Sequence, residues 1–394
     1  MDEQPWSRQR LRSNNEWLLL ERLRSAGPAS RAQLARDSGL SKPTVSSALA
    51  ALEQAGLVRE AGLLAPDRGR VAVLYEPDPT AGYVLGVDIG RARLRTAVAD
   101  LSGRIVARVD VPNRGRSATS VADAAIAAAE RTLAEAGIDR ADVVQGVVGA
   151  PGVFDPDSGR VRYAVNLPGW GRPGLFERMQ ERLDTALSLH NDANLAALGE
   201  YAFGAGAGSR LFVYVLIGTG LGMGVVADGE LFAGAHGAAG EIGFLPLLDA
   251  SALEGDGAVP RRGMLEDAVS ADAVVRAARA FGAQGPLTAK RVFDDARRGE
   301  GAAVAAVRQE GQRLALVVAS VSAVLDPDLV VLGGGVGHSA DLLLATVTET
   351  LHRVTPLRPR VAPSALGEDA VLLGAIATAL RAARPAVFER RATT

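Results

Sequence analysis

The chain has 394 residues, 48% of them hydrophobic and 22% charged, with a net charge of −2. That length predicts two or three domains with ample core, and the charge balance excludes binding to nucleic acid through bulk positive charge, so a DNA role has to rest on local side chains. Cysteine is absent, which excludes disulfides and thiolate metal sites; the N-terminus shows no signal-peptide core, and the apolar run from Leu314 to Leu325 is too short to span a bilayer, so the expected location is the cytoplasm, with no membrane partner.

In chain order, Asn14 and Asn15 precede Leu19 and Leu23, predicting a first helix capped by Asn and ended by Gly27-Pro28. Ser30 caps a second helix over 31–37, with Leu34 inward, and Gly39 makes a turn. Ser41 caps a third helix with Pro43 in its first turn, and Val45, Leu49 and Leu52 form one buried stripe. Strands over 57–61 and 71–76 follow, with Arg68-Gly69-Arg70 at the tip between them. The pattern is a winged helix-turn-helix over residues 1–80. Ser41, Lys42, Thr44 and Ser47 sit near the exposed first half of the third helix, where short polar groups and a cation suit phosphates and base edges. Arg68 and Arg70 would reach a minor groove or a phosphate from the wing. A three-helix interaction module, with Ser41 only a cap and Arg70 only a solvated charge, is the bland alternative. The string Gly39-Leu40-Ser41, Thr44-Val45-Ser46 followed by a wing favours operator DNA as the partner.

Pro77, Asp78 and Pro79 mark a stiff linker into a body over 81–394, expected as an α/β fold with two lobes, 81–190 and 191–394. Strands are predicted over 83–88, 94–99 and 105–111, then a helix over 121–136 and a buried strand over 143–148. Asp88 at the end of the first strand, before Gly90, resembles the first phosphate loop of the actin-like ATPase fold. A strand over 185–189 runs into His190-Asn191-Asp192 and a helix over 193–203; an acid at that place is positioned to meet a ligand hydroxyl. A hairpin, 211–217 and 223–227, encloses Gly218-Thr219-Gly220-Leu221-Gly222, whose backbone N–H groups and Thr hydroxyl can cradle phosphate, although most such loops are only turns. Gly333-Gly334-Gly335 after a strand over 328–332 is either a close approach to a nucleotide base or a plain strand-to-helix turn. His236 and His338 read as ordinary loop residues, with no second ligand at metal spacing. Arg381, Arg384, Arg390 and Arg391 read as a solvated tail.

Taken together, the ordered motifs resemble the ROK family (repressors, open reading frames and kinases), over nearly the whole chain. The resemblance implies a two-lobed actin-like, RNase H-like sugar-kinase body preceded by a winged helix. It implies that Asn191, Asp192, Glu241 in Gly240-Glu241-Ile242-Gly243, Glu266 in Gly263-Met264-Leu265-Glu266, and Asn166 in Asn166-Leu167-Pro168-Gly169-Trp170 bind a sugar. Asp192 would be the catalytic base if the protein is a kinase. Asp88, Gly218, Thr219, Gly220 and Gly334 mark a vestigial nucleotide site. The departures matter: the kinase loop Asp-x-Gly-Gly-Thr is here Asp88-Ile89-Gly90-Arg91-Ala92. The family's zinc module is lost, because Phe244 stands where it has His and no cysteine exists. The expectation is therefore a sugar-responsive DNA-binding regulator of carbohydrate genes, a repressor, acting as a homodimer or homotetramer without zinc, ATP or Mg²⁺ as cofactor. The alternatives are an active ATP-dependent sugar kinase carrying a DNA-binding head, and a scaffold that binds a protein partner.

Overall fold

The computed structural model describes residues 8–64, 71–155, 160–162, 170, 174–246 and 263–392; Arg68, Arg70 and Asn166 lie outside them. The N-terminal unit consists of α1 (Arg8–Ala26), β1 (Ala29–Ser30), α2 (Arg31–Ser38), α3 (Lys42–Gln54), β2 (Val58–Leu64) and β3 (Ala72–Pro77), with β3 between β1 and β2. Ser30 starts α2 with a reciprocal capping box: its hydroxyl accepts the Gln33 N–H and the Gln33 side chain accepts the Ser30 N–H at 2.8 Å. Gly39 takes the left-handed φ of 71° that ends α2. Leu19, Leu20, Leu23, Leu34, Val45, Leu49 and Leu52 are buried together. The first helix starts earlier than expected. Asn14 and Asn15 lie inside it rather than at its cap, because the preceding Arg, Gln and Leu residues are strong helix formers.

The first lobe holds β4 (Tyr83–Ile89), β5 (Arg93–Asp100), β6 (Ile105–Pro112), α4 (Ala118–Ala136), β7 (Val143–Ala150), the hairpin β8 (Val153–Asp155) and β9 (Arg160–Arg162), α5 (Leu175–Leu183) and β10 (Leu187–Asn191). Its five-stranded sheet runs β10-β7-β4-β5-β6. The parallel strands β4, β7 and β10 end level: Asp88 pairs with Gly149 and Gly149 with His190. Asp88 and Asn191 therefore emerge at one edge, the carboxyl end of the parallel strands, where open α/β sheets hold their ligands.

The second lobe adds α6 (Asp192–Phe203), β11 (Leu211–Ile217), β12 (Leu221–Ala227), β13 (Glu230–Leu231), α7 (Met264–Ala268), α8 (Ala271–Ala280), α9 (Ala289–Arg297), α10 (Gly301–Leu325), β14 (Leu329–Gly333), α11 (Gly334–Gly337), α12 (Ala340–Val354) and β15 (Arg360–Pro363). The sheet order is β13-β12-β11-β14-β15. The helices α8, α9, α10 and α12 share one apolar core with its strands, built around Phe293, Leu314, Val318 and Leu343. The opposite face carries α6, which packs on β11 and β12.

The last helix, α13 (Ala370–Ala392), returns to the first lobe, where it packs on β4 and β7 and crosses α6. A split at 190/191 therefore leaves out this return. The α6–α13 crossing is so close that a Cβ on Gly374 would lie 1.8 Å from the Leu195 carbonyl oxygen. By length and composition α13 could cross a membrane; here its apolar residues Leu372, Ile376, Leu380 and Val387 are buried against the protein.

The expected solvated arginine tail is corrected by this helix. Arg391 donates to the carbonyls of Ala55 (3.3 Å), Gly56 (3.2 Å) and Ala81 (2.7 Å). Arg384 donates to Leu101 O, and Arg381 pairs with Glu230. Phe388 meets Trp17 edge-to-face with centroids 5.1 Å apart. One apolar cluster runs from Leu19 through Leu57 to Phe388, so the N-terminal unit is docked on α13. Arg384 and Arg391 hid the stripe in the sequence because they spend their heads on backbone carbonyls.

Candidate functional site

A cleft of about 300 Å³ lies between the lobes. It brings together Asp88, Asn191, Asp192, Glu241, Glu266, Gly218, Thr219, Gly220 and Gly334, all singled out in the sequence. It also gathers Arg91, Arg95, Gly152, Asn194, His338 and Glu368.

One end is acidic. Asn191 is the N-cap of α6: its side-chain oxygen accepts the Asn194 N–H at 3.1 Å, and its amide donates to Gly152 O at 3.2 Å. Asp192 follows in the first turn, where a carboxylate suits the helix dipole; it accepts the Ala193 N–H at 2.9 Å. Burial still pushes its pKa up to about 6. Glu241 is set by Gly240, whose φ is +94° and where a Cβ would fall 2.0 Å from Met223 O; only glycine fits. Burial, then the charges of Asp192 and Glu266, raise Glu241 to about 7. Glu266, on α7, accepts the Leu221 N–H at 3.3 Å, which ties the acid to the Gly-rich hairpin.

The other end carries its own cation. Asp88, 4% exposed, pairs with Arg95 at 3.2 Å, and Arg95 also meets Asp110 at 3.5 Å and Glu368. Asp88, Arg95 and Asp110 are register partners across β4, β5 and β6, so the ion row is a cross-strand ladder. Burial drives Asp88 up to about 7 although Arg95 pulls it down. Arg108 clamps Asp369 beside it with bonds of 2.7 and 2.5 Å. Arg91 is exposed on the rim. Arg95 was missed in the sequence because nothing there marks it as the partner of Asp88; the alternation of β5, once paired with β4, is the signal that could have found it. His338, read as an ordinary loop residue, lines this end.

On the N-terminal unit, Ser41, Lys42, Ser46 and Ser47 are exposed along the start of α3, and Thr44 is half-buried. Ser41 does cap the helix, accepting the Thr44 N–H at 3.3 Å, and the two hydroxyls lie 2.8 Å apart. Ser46 was missed; it falls off the Val45–Leu49–Leu52 stripe and shares the outer face with Ser47.

Comparison with known proteins agrees with this architecture. Residues 84–382 match the ROK family and residues 13–60 the MarR family. The chain is 31% identical over 316 residues to a glucokinase from Halalkalibacterium halodurans, covering 74% of this chain and 93% of the relative. It is 24% identical over 384 residues to a xylose repressor from Caldicellulosiruptor bescii, covering 93% of this chain and 95% of the repressor. A solved ROK-family transcriptional regulator, a homologue of the Escherichia coli Mlc protein, superposes with a TM-score of 0.75 at 21% identity, covering 97% of this chain and 99% of its own. The chain belongs to the ROK family, with a MarR-type winged helix joined in front of an actin-like sugar-kinase fold.

Proposed function

We propose that the protein is a transcription regulator, a repressor of carbohydrate-metabolism genes, that reads operator DNA through α3 and binds a sugar or sugar derivative in the cleft. The observation that carries this reading is the path between the two. Ala370 and Val371 at the start of α13 line the cleft, and Phe388 and Arg391 at its other end hold the reading head through Trp17, Ala55 and Gly56. A sugar that favours one lobe closure moves that helix relative to α6, and it does so only through its differential affinity for the two closures. In a homodimer or homotetramer the heads must stand ~34 Å apart, or a multiple, to meet two half-sites, so a small rotation suffices to release them. Likeness to a xylose repressor along head and body alike supports the reading, which requires a cytoplasmic location. Against Mg-ATP stands Arg95, which holds the acid that would face the metal. The residues do not fit the family's zinc, since no thiolate exists in the chain.

The test is a gel-shift titration on fragments selected from the source genome, with and without a sugar panel. The wild type is expected to bind duplex and to change affinity with at least one sugar. Asp192→Ala is expected to keep DNA binding and lose that response. A protein that ignores duplexes from its own genome at low ionic strength overturns the reading.

A second reading, an active sugar kinase, is favoured by the 31% identity to a glucokinase and by Asp192, raised to about 6 at the start of α6, a suitable value for a base. ADP release across common hexoses that depends on Asp192 would establish it.

A further inference from the structure

We infer that a second cavity, at the joint between the reading head and the first lobe, is an oxyanion site: Arg24 and Arg384 hold the phosphate or carboxylate of a small molecule there. The inference is independent of what the cleft between the lobes binds. The cavity, about 510 Å³, is walled by the last turn of α1, the linker 77–81, the turn after β5 and Arg384 of α13. That volume suits a small metabolite. Arg384 is half-buried, and its Nε and Nη2 both donate to Leu101 O, at 3.3 and 3.1 Å. The rest of its donors, the Nη1 edge included, have no hydrogen bond or ion pair among the described residues. Burial and then the like charge of Arg24 lower the Arg384 pKa, with Glu21 opposing. Arg24, whose side chain is 12% exposed, gives Nη1 to Glu21 and lays its guanidinium over Trp17, 5.5 Å from the ring centroid. Two guanidiniums close enough to repel thus line one cavity.

The acids in the same wall are already used. Asp100 accepts the Ser102 N–H at 3.0 Å, the Arg104 N–H at 3.1 Å and Arg104 Nε at 3.2 Å. Asp78 accepts the Thr80 N–H at 2.8 Å and its hydroxyl at 2.7 Å. Glu76 is paired with Arg59 at 2.8 Å. Glu21 is left to serve both Arg24 and Arg384, so among the described residues the cavity has a surplus of positive charge and of donors. The wall takes the last turn of α1, the start of β2 and the end of β3. The ends of these elements that lead to undescribed residues are therefore the far ones, and Arg8 stands roughly 24 Å from Arg24 along the helix. A guanidinium fork pairs with a phosphate or carboxylate through two charge-assisted bonds, and an oxyanion between two forks offsets their repulsion. Leu23, Leu57 and Leu101 supply an apolar wall for the body of the ligand. Arg24 belongs to the head and Arg384 to the helix that reaches the cleft, so the bound anion ties one to the other.

The test is direct binding to the full chain by titration calorimetry in Tris chloride. The probes are inorganic phosphate, phenyl phosphate and benzoate, with benzyl alcohol as the uncharged control. At least one anion is expected to bind with a Kd below about 1 mM, and the tightest of them names the group, phosphate or carboxylate. Arg384→Gln and Arg24→Gln are each expected to weaken it by about tenfold or more, the loss of a charge-assisted hydrogen bond. Glu21→Gln removes the carboxylate that competes for both guanidiniums and is expected to tighten it by about threefold, a gain that arginines serving only the fold would not give. Should Arg384→Gln fail to fold, Arg24→Gln and Glu21→Gln carry the test. The inference is overturned if no anion binds below about 1 mM, or if benzyl alcohol binds as tightly as the anions. Binding that is unchanged in both arginine variants also overturns it, because the anion would then sit elsewhere, and so does weaker binding in Glu21→Gln. None of these outcomes touches the sugar-pocket reading.

Discussion

The two ends of the cleft use the same material, carboxylates at strand ends and helix starts, in different ways. At one end Asp88 is met by Arg95 from the next strand, and Arg95 is shared with Asp110 and Glu368. At the other, Asp192 and Glu241 are pushed up in pKa by burial, and no cation among the described residues draws either of them down. On the function proposed above, the self-paired end serves the scaffold and the acidic end meets the ligand.

The largest expected effect comes from breaking the self-paired end. Arg95→Ala strands Asp88, which is buried at the sheet edge, and removes the link to Glu368 just before α13. Breaking one side of a buried pair costs ~3–5 kcal/mol. A chemical denaturation curve should show a loss of about 3 kcal/mol or more, and the double variant Arg95→Ala with Asp88→Asn should recover part of it. A loss below about 1 kcal/mol would mean that the ladder is a surface feature and that the two ends do not differ in kind.

The acidic end should respond with the opposite sign. In Glu241→Gln the amide removes the like charge beside Asp192 and Glu266, so the ligand-free protein should gain on the order of 1 kcal/mol at pH 8. The gain should be absent at pH 5, where Glu241 is already protonated. Thermal melts at the two pH values check it; destabilisation at pH 8 would show that Glu241 is paired in solution after all.

How much of this was legible in the chain depends on how local each cause is. Caps, turns and stripes are local: Ser30, Gly39, Ser41 and the Val45–Leu49–Leu52 stripe were read from a few neighbouring residues and stand so in the structure. The positions that came together in the cleft lie at element ends, Asp88 after a strand and Asp192 at a helix start, where strand-end reasoning works. Arg95 and Glu368, 273 residues apart, meet only because α13 returns to the first sheet. The docking of Arg391 on Ala55, Gly56 and Ala81 has the same origin. Asn194 was passed over because a polar residue in a helix gives no sign, in sequence, of being buried with an unpartnered oxygen.

A smaller effect follows from proton linkage. In the folded, ligand-free protein Glu241 and Asp88 titrate near 7, against 4.5 and 3.8 for the ordinary groups. Between those values the folded state holds more protons than the unfolded one, so stability falls as pH rises toward 7 and the contribution of these two groups levels off above it, while Glu310, raised to about 8 by burial, continues the fall. His190, pushed below its ordinary 6.5 by burial, opposes the trend at lower pH, because protonating it favours unfolding. The clean window is therefore pH 6.5 to 8, where Tm should decline with rising pH. In Glu241→Gln the decline should flatten, leaving the parts that belong to Asp88 and to Glu310, which burial on α10 raises to about 8. A Tm that rises across the window would place the ordinary carboxylate pKa back on both groups.

The smallest expected effect is the most discriminating for chemistry. Restoring the kinase loop with Arg91→Gly and Ala92→Thr changes two exposed positions, so stability should move by no more than about 0.5 kcal/mol. If the guanidinium of Arg95 is what closes the phosphate end, the repaired loop still meets an Asp88 that is already paired. ADP release with hexoses should then stay at background in the double variant. Should the loop repair alone switch on turnover that Asp192→Ala abolishes, the block lay in the crowding by Arg91 rather than in the ion ladder. The phosphate end would then be a working site with a plugged entrance, and the division of the cleft into a structural half and a binding half would fail at its structural half.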